Sequence, residues 1–329
     1  MNIDNSHNTS ASSDDDLPGV VSAAWLKQQF AAINTDLQSG GALTNDDAHQ
    51  QVHNGGFVLF DATYHLTDKS RDPLQEWQDE HIAGSRFFDV VTIADVDSDW
   101  PNTVPSKQQF ETTMQELGVS NEHTIIAYDR LGLFSAARVW WMFRYFGHSR
   151  VAVLDGGLPA WLNSGGDVYS GDAESVSGSF TAQSERSELL VSAEEVARAS
   201  ASATDSASTS ASSKGPSILD ARGAGRFKGE SPEPRAGLRA GHIPGSYSLP
   251  FTSLLNDDAT YKSPDEIRQI LLKQGVTEDS SVITSCGSGI TACVLSLGMS
   301  LAGFPDAALF DGSWTEWGSR EEFPVATGA

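Results

Sequence analysis

Two cysteines occur in 329 residues, Cys286 and Cys293, too few for a disulfide framework or a Cys-rich zinc site. One of them stands where chemistry is commonly done. Cys286 opens the run Cys286-Gly-Ser-Gly-Ile-Thr-Ala292, directly after the apolar Val282-Ile-Thr-Ser285. The pattern reads as a strand, a short glycine-bearing loop and a helix from about Thr291. A loop of this kind can curl so that successive backbone N–H groups converge on one centre. The N-terminus of the following helix adds to the same positive potential. A cysteine there is favoured as the thiolate, which is the nucleophilic form, and a persulfide or bound oxyanion would be held by the same donors. Cys286 is thus a candidate nucleophile, with Gly287, Ser288, Gly289, Ile290, Thr291 and Ala292 as candidate binding residues around it. The competing reading, an inert buried thiol at a strand end, gives Gly287 and Gly289 no purpose. Cys293 lies inside the helix and is expected to serve packing.

The elements that position this loop occur twice. Phe57-Val-Leu-Phe-Asp61 and Glu80-His-Ile-Ala-Gly84-Ser in the first half match Ser217-Ile-Leu-Asp220 and Gly241-His-Ile-Pro-Gly245-Ser in the second. Ile125-Ile-Ala-Tyr-Asp129 matches Val282-Ile-Thr-Ser-Cys286, and Leu154-Asp155-Gly-Gly matches Phe310-Asp311-Gly-Ser. The four landmarks keep their order at separations between 156 and 161 residues, the signature of a duplicated domain. Asp129 takes the place of Cys286, so only the second half is expected to be catalytic. In each half, short β-branched or aromatic runs (57–60, 124–128, 151–154; 218–219, 282–285, 307–310) alternate with amphipathic stretches (106–117, 135–146, 263–274, 291–303). The expected fold is α/β, two tandem domains each with a mostly parallel sheet flanked by helices, and ligands belong at the carboxyl ends of the strands.

Composition bounds the rest. With 21 basic against 44 acidic residues, a net charge of −23, nucleic acid and anionic membrane surfaces are poor partners. No apolar run approaches the roughly 18 residues of a membrane span. The start, MNIDNSHNTSASSDDD, lacks the basic and apolar regions of a signal peptide, and the expected location is cytoplasmic. Residues 1–17 read as a disordered tail, 18–162 as the non-catalytic half and 163–188 as a polar linker. Residues 189–329 form the catalytic half, with a low-complexity Ala/Ser insertion at 199–214.

The tandem repeat, the Cys286 loop, the Gly241-His-Ile-Pro-Gly245 turn and the Asp311-Gly-Ser-Trp-Thr-Glu-Trp317 ending together resemble the two-domain rhodanese family over residues 18–324. Within it they are most similar to the branch whose sulfur donor is 3-mercaptopyruvate. The resemblance implies sulfur transfer through a Cys286 persulfide to a thiol, cyanide or a thioredoxin-like acceptor, with release of pyruvate and no cofactor or metal. Thiosulfate-using members place Arg and Lys after the cysteine, where this chain has Gly287-Ser288; thiosulfate is the alternative donor. Arg226 and Arg235, in Gly225-Arg-Phe-Lys-Gly-Glu-Ser-Pro-Glu-Pro-Arg235, match the family's substrate loop and are expected to clamp the donor's carboxylate and carbonyl. A simpler role as ion-pair arginines beside Glu230 and Glu233 competes with this. Arg222 is expected in a structural ion pair, and His81 and His242 as turn residues. The family's proposed Ser–His–Asp relay has its serine at Ser288, but Val91 and Asn102 fall where its Asp and His would stand. Either the relay is dispensable or nearby carboxylates, Asp95 and Asp97, replace it. A cysteine phosphatase would want arginine near position 292, which is alanine, and no histidine suggests a papain-like pair.

Overall fold

The computed structural model describes residues 17–34, 44–172, 176–205 and 215–328. The first half runs β1 (Val20–Val21), α1 (Ala23–Asn34), α2 (Asn45–Asn54), β2 (Phe57–Asp61), α3 (Pro73–Asp79), β3 (His81–Ile82) and β4 (Ser85–Phe87). It continues through α4 (Lys107–Glu116), β5 (Thr124–Tyr128), α5 (Ala136–Tyr145), β6 (Val151–Leu154), α6 (Gly157–Asn163) and β7 (Val168–Tyr169). The second comprises β8 (Leu190–Val191), α7 (Ala193–Thr204), β9 (Ser217–Asp220), α8 (Ala224–Lys228), β10 (Tyr247–Ser248) and α9 (Pro264–Lys273), then β11 (Val282–Ser285), α10 (Ala292–Leu301), β12 (Ala308–Phe310) and α11 (Ser313–Ser319).

The duplication is written into the sheets. The first has strand order β1-β6-β5-β2-β4 and the second β8-β12-β11-β9-β10, and every pairing in both is parallel. β5 and β11 lie at the centre of their sheets and are buried at every residue, as a strand covered on both faces must be. Helix starts follow local chemistry: Ser106 with Gln109, Ser192 with Glu195 and Ser263 with Glu266 each close a capping box that satisfies two orphan N–H groups. α10 is apolar around its whole circumference and buried through Met299, which marks an interior helix. It lies against α5 across the boundary between the halves. Trp140, Trp141, Leu254, Val294 and Leu297 therefore belong to one core that both halves share. No helix among the described residues is long and apolar enough to cross a membrane.

Two expectations about connecting segments need correction. Residues 199–204, assigned to a surface insertion, instead complete α7. Alanine-rich sequence has high helix propensity, and Ala199 and Ser200 are buried, with the Ser200 hydroxyl donating to Pro244 O at 2.7 Å. The described residues of 163–188 do not form a free linker. β7 pairs antiparallel with β3, Phe180 and Ala182 are buried in the shared core, and Phe180 N–H donates to Val119 O. Two well-placed apolar side chains secure a stretch whose average composition looks solvated. Residues 1–16 of the expected tail and 206–214 of the expected insertion lie outside the described residues.

Candidate active site

The loop after β5 shows what this scaffold does with an anion. Asp129 is fully buried. One oxygen accepts the Leu131 N–H at 2.9 Å; the other accepts those of Phe134, Ser135 and Ala136 at 2.8, 2.9 and 3.0 Å. Four main-chain donors around one carboxylate make an anion nest at a helix N-terminus.

The loop after β11 has the same path. Gly132 and Gly289 hold matching left-handed positions, with φ of 97° and 74°, which only glycine adopts without cost. Cys286 stands where Asp129 does. In this register Ser288, Thr291 and Ala292 replace Leu131, Phe134 and Ser135, and among the described residues their N–H groups have no acceptor. Three of the four donors that bind a carboxylate in one half are thus left open beside a sulfur in the other; the fourth, the Cys293 N–H, is taken by Ile290 O at 3.1 Å. Cys286 is only 2 % exposed, yet it lines a hollow of about 70 Å³ that opens to solvent, with room for a handful of water-sized groups. Burial pushes the Cys293 thiol up to about 12, so it stays protonated at neutral pH and packs, its Sγ–H donating to Gly289 O.

Gly289 does not bind in this hollow. Its N–H is taken by Ser313 Oγ at 3.2 Å, and the same oxygen accepts the Cys286 N–H at 3.0 Å. The position fixes the turn rather than contacting a ligand. Ser313 itself has a φ of 51°, a strained backbone for a residue with a Cβ. Its counterpart is Gly157 with φ 56°. The serine accepts that strain and uses its hydroxyl to staple both ends of the Cys286 loop.

Gly287, Ser288, Ile290 and Thr291 line the hollow with Arg222, Arg226, Tyr64, Leu66, Phe134 and Phe251. Arg226 makes an ion pair with Glu233, as its simpler role requires, and it also overhangs the Cys286 loop. Its Nη2 donates to Glu233 at 2.5 Å, while the same nitrogen lies 3.1 Å from where a Cβ on Gly287 would stand. The ion pair holds the guanidinium over the loop, and glycine at 287 leaves it room. Glu233 also accepts from Arg222 at 2.8 Å. Arg222 binds both oxygens of Asp220 and stacks 4.3 Å above the Trp314 ring, the structural anchor expected of it. Burial works against its charge, but Asp220 and Glu233 outweigh burial and raise its pKa. Arg235 reaches the site from the edge, donating to Ser288 Oγ at 3.2 Å. His81 and His242 donate from Nδ1 to the carbonyls of Trp77 and Phe227, each at 2.8 Å, and neither lines the hollow.

Of the two positions that depart from the relay, one is at the site. Asn102 is 4 % exposed, and its Nδ2 donates to Ser288 Oγ at 2.9 Å. Val91 is half-exposed, lining a separate surface hollow. Asp95 accepts the Asp97 N–H within its own loop, and neither aspartate bonds to Ser288 among the described contacts, so they do not rebuild a relay. No cluster of three metal-ligating side chains occurs among the described residues.

Rhodanese-like domain sequences match this chain twice, at residues 44–164 and 203–320. The chain belongs to the rhodanese family. The 3-mercaptopyruvate sulfurtransferase of Rattus norvegicus is 38 % identical to it over 90 % of this chain and 94 % of the relative. That of Escherichia coli K12 is 39 % identical over 78 % and 87 %. The crystal structure of SseA from Escherichia coli, a 3-mercaptopyruvate sulfurtransferase of rhodanese fold, superposes with a TM-score of 0.72, at 32 % identity over 91 % of this chain and 99 % of that one.

As a rhodanese, the molecule uses residues that sequence reading passed over. Arg138, on α5 of the first half, is 1 % exposed. It donates to both Asp311 oxygens at 2.7 and 3.2 Å, to Asn102 O at 2.7 Å and to Gly289 O at 3.3 Å. Burial opposes its charge, and Asp311 more than offsets that, raising its pKa. Nothing local marks an arginine inside an apolar helix as an interdomain tie, because its partners are more than 150 residues away along the chain at Gly289 and Asp311. Ser313 did carry a signal: it breaks the glycine pattern of its own repeat.

Proposed function

We propose that this rhodanese transfers sulfane sulfur from 3-mercaptopyruvate through Cys286 to a thiol, cyanide or thioredoxin-like acceptor. The observation that carries the reading is the cup around Cys286: a nucleophile facing unspent main-chain donors, with Arg226 overhead and no cationic side chain at 287 or 288. In the first step the Cys286 thiolate attacks the donor's sulfur and an S–S bond forms. The C–S bond breaks, its electron pair passing to carbon as the enolate of pyruvate, which then takes a proton. Arg226 and Arg235 suit a carboxylate and an enolate oxygen because their charge is permanent and their donors lie in a fork. The persulfide sits among the N–H groups of Ser288, Thr291 and Ala292. In the second step an acceptor attacks the outer sulfur and the Cys286 thiolate leaves, a two-stage covalent scheme.

Thiosulfate is the rival donor. It is disfavoured because no cationic side chain stands at 287 or 288, and a Cβ at 287 would already crowd Arg226 Nη2 at 3.1 Å. Incubation with 3-mercaptopyruvate, followed by intact mass, tests the reading. The expected product is one sulfur atom heavier, loses that atom to cyanide, and does not form in Cys286→Ser. A chain that gains no sulfur, or turns over thiosulfate better than mercaptopyruvate, would overturn it.

A further inference from the structure

We propose that Asn102, a residue of the non-catalytic half, is a positioning residue that fixes the Ser288 hydroxyl as a hydrogen-bond donor into the reaction hollow. The proposal rests on the mercaptopyruvate reading and adds to it a role for a side chain outside the catalytic domain.

A serine hydroxyl has one proton and two acceptor lone pairs. At Ser288 both lone pairs are engaged: Asn102 Nδ2 donates at 2.9 Å and Arg235 Nη2 at 3.2 Å. The Ser288 hydroxyl donates to no acceptor among the described residues, and the residue lines the hollow beside Cys286. Its proton is therefore the one free element of the group, and the side open to it is the hollow. An amide nitrogen cannot take that proton, so Ser288 is not activated as a base. No imidazole or carboxylate lines the hollow either. What remains is a neutral donor aimed where charge develops on the donor's carbonyl oxygen, the arrangement by which preorganised donors lower a barrier.

Asn102 is built to hold this orientation. Its φ of 63° is left-handed, a conformation that asparagine tolerates better than most residues. Its carbonyl accepts from Arg138, and two residues on, the Val104 N–H donates to Asp311 at 2.6 Å. The loop is thereby held at Asn102 by Arg138 of its own half and tied to the second half at Val104. Such effort over one side chain is hard to understand if it only fills space.

Asn102→Asp tests the orientation with almost no change of shape. A carboxylate accepts where the amide donated, so it draws the Ser288 proton away from the hollow. With 3-mercaptopyruvate and cyanide, kcat is expected to fall by about a hundredfold, the scale of losing one preorganised donor, with KM within about threefold. In a Ser288→Ala background the same substitution is expected to change kcat by less than about twofold, since the two act as one unit. Asn102→Gly keeps the left-handed backbone without adding charge; losing orientation alone, it is expected to fall by about tenfold, and it carries the test if the aspartate variant does not fold. Wild-type kcat in Asn102→Asp or Asn102→Gly, a loss confined to KM, or an equal loss with and without Ser288 would each overturn the proposal. If wild type forms no persulfide, the function reading falls with it; if wild type does and the variants are unaffected, only this inference falls.

Discussion

Asp129 holds in one half the position that Cys286 holds in the other, and its carboxylate fills the ring of donors there. Four main-chain N–H groups converge on its carboxylate. Asp129→Ala would leave those buried donors unpaired, at about 1–3 kcal/mol for each one left without water. We expect a loss of more than about 3 kcal/mol, read from urea unfolding. Cys286→Asp is the converse experiment. A carboxylate should fill the open cup, giving a chain without sulfurtransferase activity whose thermal midpoint is no lower than wild type.

Arg226 and Gly287 are a matched pair. Because a Cβ on Gly287 would lie 3.1 Å from Arg226 Nη2, a side chain at 287 presses on the guanidinium, and a cationic one also repels it. Gly287→Arg is expected to lower kcat/KM for 3-mercaptopyruvate by at least about tenfold, equal to about 1.4 kcal/mol of transition-state binding, while the ratio of thiosulfate to mercaptopyruvate use rises. Steady-state rates with both donors on one preparation decide it.

Acid should weaken the first half first. Burial holds His49 and His123 down at about 4, helped at His49 by Arg86, whose Nη2 lies 3.0 Å from its Nε2. His53 adds to both shifts. Their folded pKa values lie below the ordinary 6.5, so the folded state excludes protons that the unfolded chain binds. Their contribution is complete above about pH 6.5 and is lost as pH falls toward 4. Asp61 acts in the opposite sense, because burial raises it to about 6 and the folded state gains from its protonation below that. Burial also lowers His81 and His148 and raises Asp155, so four histidines against two carboxylates give a net loss. The urea midpoint is expected to be lower at pH 5 than at pH 7.5, and His49→Gln should flatten the difference.

Arg138 and Asp311 form an ion pair that is almost wholly withdrawn from water. Removing one partner of such a pair leaves the other charge stranded, typically at about 3–5 kcal/mol. Arg138→Ala is expected to cost that much in unfolding free energy. It should also lower mercaptopyruvate turnover although it touches no substrate, because Gly289 O and Asn102 O lose their donor. Turnover unchanged in a folded variant would show that the tie serves stability alone.

The amino-acid sequence by itself determined the duplication, the alternation of strand and helix, and the Cys286 loop. Each is a local pattern: apolar periodicity marks the strands, glycine marks the turn, and repetition sets Asp129 opposite Cys286. The mostly parallel sheets follow from those strands and helices. Contacts distant in sequence were decided by the tertiary structure alone. Asn102 meets Ser288 across 186 residues and Arg138 meets Asp311 across 173, and no property of either residue type announces its partner. The strap at Phe180 and the helical 199–204 were misread for a related reason, since average composition dilutes the few side chains whose burial fixes a segment. Where a residue lies along the chain sets what it can do chemically; which group it does it with depends on a core assembled from both halves.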